Sequence, residues 1–209
     1  MRITIQNNHF QLVSNGVAYW EQEQTLLIAD VHLGKISHFR KYGSAVPQSA
    51  IAVNFEKLNS ATNQFTPKKV IFLGDLFHSA KNIEWNLFED WLTTQTAEVI
   101  LIAGNHDIIS PLHYEALGVK IFQELQIDKF RLTHHPEEQE NTFNICGHIH
   151  PGYRLMGLAK QHLKLKCFFR KPNQLILPAF GEFTGVFLMK PTTNDQVYVC
   201  TNAEVIQVN

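Results

Sequence analysis

The 209-residue chain has few cysteines, little net charge and no long apolar segment. Its three cysteines, Cys146, Cys167 and Cys200, form no CxxC pair, which argues against a disulfide framework or a cysteine zinc site. Eighteen basic and nineteen acidic residues leave a formal charge of -1, so the composition gives no overall sign of nucleic-acid or membrane binding. No apolar run reaches the roughly 18 residues of a membrane span, and the first residues lack the apolar core of a signal peptide. We therefore expect a protein of the reducing cytoplasm.

The chain also lacks internal repeats, low-complexity tracts and linkers rich in glycine, serine or proline. With 44% hydrophobic residues, it can bury one sizeable core. We expect a single domain over residues 1–209.

Short apolar runs alternate with helical patterns in the first half of the chain. The runs TLLIA, KVIFL and EVILIAG are separated by a helical pattern over about residues 48–62 and by the amphipathic segment NIEWNLFEDWLTTQ. This βαβαβ order predicts parallel strands. In the amphipathic segment, we expect Ile83, Leu87, Trp91 and Leu92 to form the face that packs on the sheet.

Ser110 and Pro111 predict the start of a short helix that ends at Gly118. The sequence pattern changes after this helix. Many short strand-like runs follow, among them KFRLT, FNIC, KLKCFF, QLIL and QVYVC, separated by turn residues. An α/β first half joined to a β-rich second half predicts two packed sheets with helices outside. The segment KLKCFFRKP, from Lys164 to Pro172, is expected to be an edge strand protected by its charges.

Eleven histidines are the unusual feature of the composition, and many of them follow apolar strands together with carboxylate and amide side chains. Loops at the carboxyl ends of parallel strands commonly build binding sites. An isolated D-x-H is more often a capping aspartate beside a solvated histidine, but five such pieces in order are hard to obtain by structural coincidence. The residues are Asp30 and His32 (DVH), Asp75 (GD), Asn105, His106 and Asp107 (GNHD), His134 and His135 (THH), and His148 and His150 (GHIH).

The ordered motifs resemble the signature of the calcineurin-like metallophosphoesterases, which is D-x-H, GD, GNH[DE], H and GHxH. The resemblance implies an α/β fold of two stacked mixed β-sheets flanked by helices, and a two-metal site. It implies that Asp75 bridges both ions. The ligands implied for one ion are Asp30, His32, Asp75 and His150, and those for the other are Asp75, Asn105, His134 and His148.

The donor types agree with this chemistry. Carboxylate, amide and imidazole ligands without thiolate suit Mn²⁺, Fe or Zn²⁺, and we expect Mn²⁺ first. Two such ions about 3.5–4 Å apart can activate a bridging water for attack on phosphorus and neutralise phosphate oxygens. The resemblance implies that His106 protonates the leaving oxygen and that Asp107 orients His106 and holds its proton.

The roles of three histidines stay open at this level. Adjacent residues on a strand face opposite ways, so spacing does not decide between His134 and His135. We favour His134 as the ligand because it directly follows the apolar run, and we interpret His135 as a loop residue or substrate contact. His78 either contacts the substrate or is a loop histidine bonded to the backbone.

Longer segments, ADVHLGKISHFRKYGSAVP, FLGDLFHS, GHIHPG and LPAFGEFTG, resemble the ligase-associated DNA damage response endonuclease group. This resemblance implies DNA as substrate, with a DNA ligase and a helicase as partners. Lys35, His38, Arg40 and Lys41 follow the first motif and form either a phosphate-binding patch or a solvated basic helix end.

In the segment LPAFGEFTG, both Phe180 and Phe183 are expected in the core rather than as platforms for stacked bases.

Three functions fit the motifs. The first is a metal-dependent phosphodiesterase that acts as a nuclease in DNA repair. The second is the same chemistry on a small substrate, such as a cyclic nucleotide or a nucleotide-sugar pyrophosphate. The third, a non-catalytic binding module, is the weakest, because that function predicts loss of ligands or of the acid and all of them are present.

Overall fold

A computed structural model describes residues 1–43, 45, 47, 49–157 and 161–209. Its strands form two sheets. In the first sheet the strands follow chain order, antiparallel from β1 to β4 and parallel from β4 to β7. Its members are β1 (Arg2–Ile5), β2 (Asn8–Leu12), β3 (Ala18–Trp20), β4 (Thr25–Ile28), β5 (Lys69–Leu73), β6 (Glu98–Ile102) and β7 (Lys120–Phe122).

The second sheet has the order β14-β11-β12-β13-β10-β9-β8, with β15 paired to β12 and β16 to β15. It is also mixed, since β10 runs parallel to β9 and β13 while β12 runs antiparallel to its partners β11, β13 and β15. Its members are β8 (Leu125–Ile127), β9 (Phe130–Leu132), β10 (Phe143–Cys146), β11 (Pro151–Met156), β12 (His162–Lys171), β13 (Gln174–Ile176), β14 (Phe187–Leu188), β15 (Gln196–Cys200) and β16 (Val205–Gln207).

Four helices lie among the described residues: α1 (Lys35–Lys41), α2 (Ser49–Phe65), α3 (Ile83–Thr93) and α4 (Pro111–Glu115). The predicted helix over about 48–62 is confirmed as α2, which continues to Phe65, whereas its expected start at position 48 falls outside the described residues. The predicted Ser110 and Pro111 start of α4 is also confirmed. In the part of the chain that the structure covers, no helix combines the length and apolar content that a membrane crossing requires.

Two large hydrophobic clusters hold the layers together. One fills the space between the sheets and includes Phe10, Ile71 and Phe168. The other lies between the first sheet and the helices, where Phe72 and Phe88 pack. The result is two stacked mixed sheets flanked by helices, as expected from the sequence, and burial of this apolar area is the main force that favours the fold.

The predicted packing face of α3 is half right. Trp91 and Leu92 pack on the cluster between the first sheet and the helices, as expected. Ile83 is 55% exposed and Leu87 is 37% exposed, and Trp85 and Phe88 are buried in their place. The buried face is aromatic, and Trp85 meets Tyr114 of α4 edge to face with ring centroids 5.1 Å apart.

The segment KLKCFFRKP was expected at an edge, and this expectation is wrong for its centre. Phe169 and Arg170 in β12 pair with both β13 and β15, whereas Lys164–Lys166 pair with β11 alone among the strands described. Cys167, Phe168 and Phe169 are fully buried. Charged residues flank this apolar centre because β12 is ten residues long and extends beyond the core at both ends. The first three strands had no prediction at all; each is short, and β1 turns into β2 through Gln6 and Asn7 with positive φ.

Candidate metal centre

The loops that follow β4 and β5 are joined by backbone hydrogen bonds that continue the parallel pairing. The amide of Asp30 donates to the carbonyl of Gly74 at 3.2 Å, and the amide of His32 donates to the carbonyl of Asp75 at 2.9 Å. This pairing places the DVH and GD motifs side by side at the carboxyl edge of the first sheet, which we call the ligand edge. The loops after β9 and β10 reach the same edge, where the Gly147 amide donates to the His134 carbonyl at 3.1 Å.

Left-handed backbone is concentrated in the motifs at this edge. Residues other than glycine rarely adopt positive φ, and such strain clusters at functional sites. The spacing of D-x-H predicted an extended segment with both side chains on one side. The backbone of this segment is instead left-handed at Asp30 and His32. The residues are Asp30 (φ 53°), His32 (φ 50°), Asp75 (φ 50°), His148 (φ 68°) and His150 (φ 52°).

Asp30, His32 and His150 form the first group of donors. Nε2 of His32 lies 3.4 Å from Nε2 of His150, and Nε2 of His150 lies 3.3 Å from Oδ1 of Asp30. The other oxygen of Asp30 accepts the backbone amide of His148 at 2.9 Å, which fixes the carboxylate. Asp30 and His32 are buried, while His150 is partly open to solvent.

His134, His148 and Asn105 form the second group. Nε2 of His134 lies 3.0 Å from Oδ1 of Asn105 and 3.2 Å from Nδ1 of His148. The other ring nitrogen of His134, Nδ1, lies 3.0 Å from the carbonyl oxygen of Leu73, which orients the ring.

Asp75 lies between the two groups. Its Oδ1 is 3.4 Å from Nε2 of His134, and its Oδ2 is 3.9 Å from Nε2 of His32. Oδ1 also accepts the backbone amide of His106 at 2.8 Å. One carboxylate therefore presents an oxygen to each group, and all seven candidate ligands, as the sequence listed them, meet at one place.

The donor atoms fit divalent cations. Pairs of imidazole nitrogens that point at each other at 3.2–3.4 Å repel unless a proton or a cation lies between them. Oδ1 of Asp30 is buried without a hydrogen-bond partner. Burial, reinforced by the Lys35 cation, lowers the pKa of His32 to about 2, so its imidazole is neutral and free to bind a metal. The donor groups Asp30, His32 and His150, and His134, His135 and His148, are each compact enough to hold an ion.

His106 reaches the site, but Asp107 does not bond to it. The His106 ring stacks on that of His78 with centroids 5.0 Å apart, next to His32 at 5.4 Å. The carboxylate of Asp107 instead accepts the backbone amides of Gly104 at 2.9 Å and Phe77 at 3.1 Å. The expected orienting contact from Asp107 to the His106 ring is thus wrong, because Asp107 points away and ties the GD loop to the GNHD loop. Burial raises the pKa of Asp107 to about 6, against these amide donors.

His78 and Lys35 are brought to the site, whereas Arg40 is not. The His78 ring lies 5.6 Å from that of His32, and burial lowers its pKa. Lys35 begins α1 and is half-buried; burial lowers its pKa, and the carboxylates of Asp30 and Asp75 oppose that shift. Arg40 is exposed five residues later, and five helical residues rotate a side chain by about 140° away from Lys35. The side chain of Lys41 lies outside the described part of the structure.

His135 lies at the open rim of the second group. Its ring centroid is 4.1 Å from that of His148 and 4.7 Å from that of His134. His134 is buried and His135 is exposed. The burial and contacts of His134 support the preference for it as the ligand, and they leave His135 accessible to a substrate.

Residues 180–187, which we call the backing segment, lie behind the first motif, an arrangement that the sequence did not predict. The amides of Phe180 and Gly181 donate to the carbonyls of Ala29 at 2.9 Å and Asp30 at 3.1 Å. Phe180 is fully buried, as expected, but Phe183 is 52% exposed, so its expected core position is wrong. The glycine in the motif FGEF was a signal for this arrangement. A Cβ at position 181 would overlap the carbonyl oxygen of Val31, so only glycine allows the two backbone segments to come this close.

A mixed two-sheet sandwich with carboxylate, amide and imidazole donors at its ligand edge defines a phosphoesterase of the metal-dependent class. The family model for calcineurin-like phosphoesterases matches residues 24–178, and the chain belongs to this family. The family implies divalent metal ions, and the described residues include compact clusters of candidate donors: Asp30, His32 and His150; Asp30, Asp75 and His134; and His134, His135 and His148. No curated protein matches the chain significantly.

Among solved structures, the chain is similar to a nuclease, MPE, of Pseudomonas putida. The two share 26% sequence identity and a TM-score of 0.82 over 100% of this chain and 99% of the other. A protein of unknown function from Aquifex aeolicus, AQ665, shares 16% identity and a TM-score of 0.44 over 60% of this chain and 78% of the other. The likeness to MPE extends over both sheets.

Proposed function

We propose that the protein is a metal-dependent phosphodiesterase and that its substrate is DNA, which makes it a nuclease. The observation that carries the proposal is the position of Asp75, with one oxygen toward each group of donors. Two divalent ions, with Mn²⁺ our first expectation and Fe or Zn²⁺ as alternatives, would activate water and neutralise the phosphate. The structural likeness to a nuclease supports DNA as the substrate class.

We propose a role for each residue of the site. Asp30, His32, Asp75 and His150 would hold one ion, and Asp75, Asn105, His134 and His148 would hold the other. His106 protonates the leaving oxygen, since its ring lies 5.4 Å from that of His32 and has no hydrogen bond with another described side chain. His78, His135 and Lys35 line the approach and contact the phosphodiester.

The domain organisation, cellular role and partners of the protein are proposed as well. We propose one domain over residues 1–209, because both sheets contribute to the same core cluster. DNA repair, a cytoplasmic location and association with a DNA ligase and a helicase stay predictions. Phosphodiester hydrolysis of a small nucleotide or nucleotide-sugar substrate is the competing function of the same site.

A substrate panel tests the proposal. The protein loaded with Mn²⁺ is given bis(p-nitrophenyl) phosphate, cyclic nucleotides, a nucleotide-sugar pyrophosphate and single-stranded, nicked and duplex DNA. We expect cleavage of DNA and of bis(p-nitrophenyl) phosphate. Fast turnover of a small nucleotide with no cleavage of any DNA would contradict the nuclease assignment and favour the competing function.

Asp75→Asn tests the metal centre itself. A carboxylate neutralises both cations, and an amide does not, so we expect loss of bound metal and of all hydrolysis. Asp128→Asn is the matched control, because Asp128 has the same φ of 50° in an exposed turn away from the ligand edge. Two bound metals and full activity in Asp75→Asn would exclude the bridging role.

A further inference from the structure

A cavity of about 450 Å³ lies behind the backing segment and holds an excess of positive charge. Lys57, Lys164 and Lys166 line it, with Glu182 as the single acid among the described lining residues. Glu182 is paired with Lys57 at 2.9 Å, which leaves two ammonium groups without a carboxylate partner in the described structure. A concave surface with unbalanced lysines attracts anions.

The cavity lies at the ligand edge. β12 is antiparallel to β13, and Phe169 pairs with Ile176, so Lys166 and Lys164 extend past the end of β13 toward the edge that carries His148. The backing segment links the two sites directly, since it bonds to the Asp30 carbonyl through Gly181 and to the His150 carbonyl through Phe187, at 3.1 and 2.9 Å.

Cations continue from the cavity along one face of the β11–β12 hairpin. Gly152 pairs with Lys166 and Arg154 with Lys164, so these side chains share a face. Val186 lies against Gly152 on this face. Arg154 and Lys164 are exposed, and neither has an ion pair with a described residue. β11 begins directly after His150, and four strand residues place Arg154 about 13 Å beyond it.

Lys166 is partly buried, and its ammonium has one hydrogen bond, to the Asn15 carbonyl at 2.9 Å. Burial and the neighbouring Lys57 lower the pKa of Lys166 to about 8. A bound anion would supply the missing partner. The Phe183 ring also lines the cavity, is 52% exposed and sits on left-handed backbone with φ 59°. Exposed aromatic rings beside cations are the elements that bind single strands, by stacking on bases.

We propose that this cavity and the adjoining β11–β12 face bind a single DNA strand beyond the scissile phosphate. Lys164, Lys166 and Arg154 contact its phosphates, and Phe183 stacks on a base. The inference rests on the proposed nuclease function and gives it a strand path. It also assigns substrate contact to a segment that the sequence had placed in an edge strand.

Binding of a fluorescent single-stranded oligonucleotide is measured in EDTA over a range of salt concentrations, so that the result does not depend on catalysis. Arg154→Ala with Lys164→Ala should lower the salt slope by about 1.4, which is about 0.7 for each lost phosphate contact. Phe183→Leu should weaken binding by about tenfold with an unchanged salt slope, whereas Phe183→Trp should retain affinity.

The matched control removes two other exposed lysines, Lys68 and Lys129, which precede β5 and β9 and therefore lie at the opposite edge. Lys68→Ala with Lys129→Ala should leave the salt slope near that of the wild type. An equal fall in this control, or an unchanged slope in the Arg154 and Lys164 variant, would overturn the strand path.

Hydrolysis of bis(p-nitrophenyl) phosphate separates the two proposals. This substrate has one phosphate and cannot reach the β11–β12 face, so its kcat/KM should be equal in all these variants. A wild-type protein that hydrolyses neither it nor DNA would overturn the proposed function, while the binding measurements would still decide the strand path.

Discussion

Gly74 lies directly against the ring of His134. A Cβ added at position 74 would overlap Nδ1 and Cγ of that ring, and the glycine has φ 85°, a region that suits glycine best. The glycine of the GD motif therefore makes room for a histidine that is 60 residues away in sequence.

We expect Gly74→Ala to displace His134 and to lower both metal content and hydrolysis, because the methyl group and the ring cannot occupy the same space. Metal stoichiometry after dialysis and hydrolysis of bis(p-nitrophenyl) phosphate are the measurements, and circular dichroism reports folding. Gly118→Ala is the control, since it has a similar φ of 80° with no atom within 4 Å of the added Cβ. It should cost about 1 kcal/mol of stability and leave activity intact. Equal metal loss in both variants would contradict the steric explanation.

His106→Asn should retain both metals and lose rate mainly on substrates with poor leaving groups. General acid catalysis contributes about 10²–10⁴-fold, and an alkoxide leaving group needs a proton more than p-nitrophenolate does. The comparison is between DNA or an alkyl phosphodiester and bis(p-nitrophenyl) phosphate. An equal fall on both substrates would exclude His106 as the acid.

Asp107→Asn tests a different role. Because its carboxylate accepts the amides of Gly104 and Phe77, the substitution removes one charge-assisted acceptor and should cost about 1.5–3 kcal/mol of stability. The effect on hydrolysis should be the same for good and poor leaving groups, since Asp107 positions two loops and does not touch the His106 ring. A loss restricted to poor leaving groups would instead show that Asp107 acts through His106.

Lys166 should make stability depend on pH. Its pKa is about 8 in the folded protein against 10.5 in the unfolded chain, so the unfolded chain binds more protons between these values. Stability from this group therefore rises as the pH increases from about 8 to 10.5, and the full penalty is present below pH 8. Lys57 and Glu182 face the same cavity and Cys200 lines it, so the comparison must be between variant and wild type.

Lys166→Met should accordingly be more stable than the wild type at pH 7, by on the order of 1–3 kcal/mol, and should lack the rise above pH 8. Urea unfolding at pH 7, 8, 9 and 10 measures both effects. Lys164→Met, an exposed neighbour on the same strand, should retain the wild-type pH dependence. The same Lys166→Met variant should bind single-stranded DNA more weakly, an exchange of function for stability. Identical pH profiles for wild type and Lys166→Met would refute the penalty.

The sequence alone determined the class of fold and the set of candidate ligands. The hydrophobic periodicity of the segments predicts the fold, since apolar runs such as KVIFL form buried strands. The order of the motifs predicts the ligands, because each motif directly follows a strand. Parallel strands deliver their following loops to one edge whatever the details of packing, so Asp30, Asp75 and Asn105 could be grouped before any coordinates. The chain belongs to the family that those motifs indicated.

Only the tertiary structure decided what each side chain touches. The left-handed turns at Asp30 and His32, the amide contacts of Asp107 and the interior place of β12 depend on residues far apart in sequence. The local sequence pattern does not specify such partners: KLKCFFRKP has the charges of an edge strand, yet its Phe169 and Arg170 pair with both β13 and β15. Strand pairing and loop contacts between distant segments fix these positions, because the free energy of packing depends on neighbours that spacing along the chain does not specify.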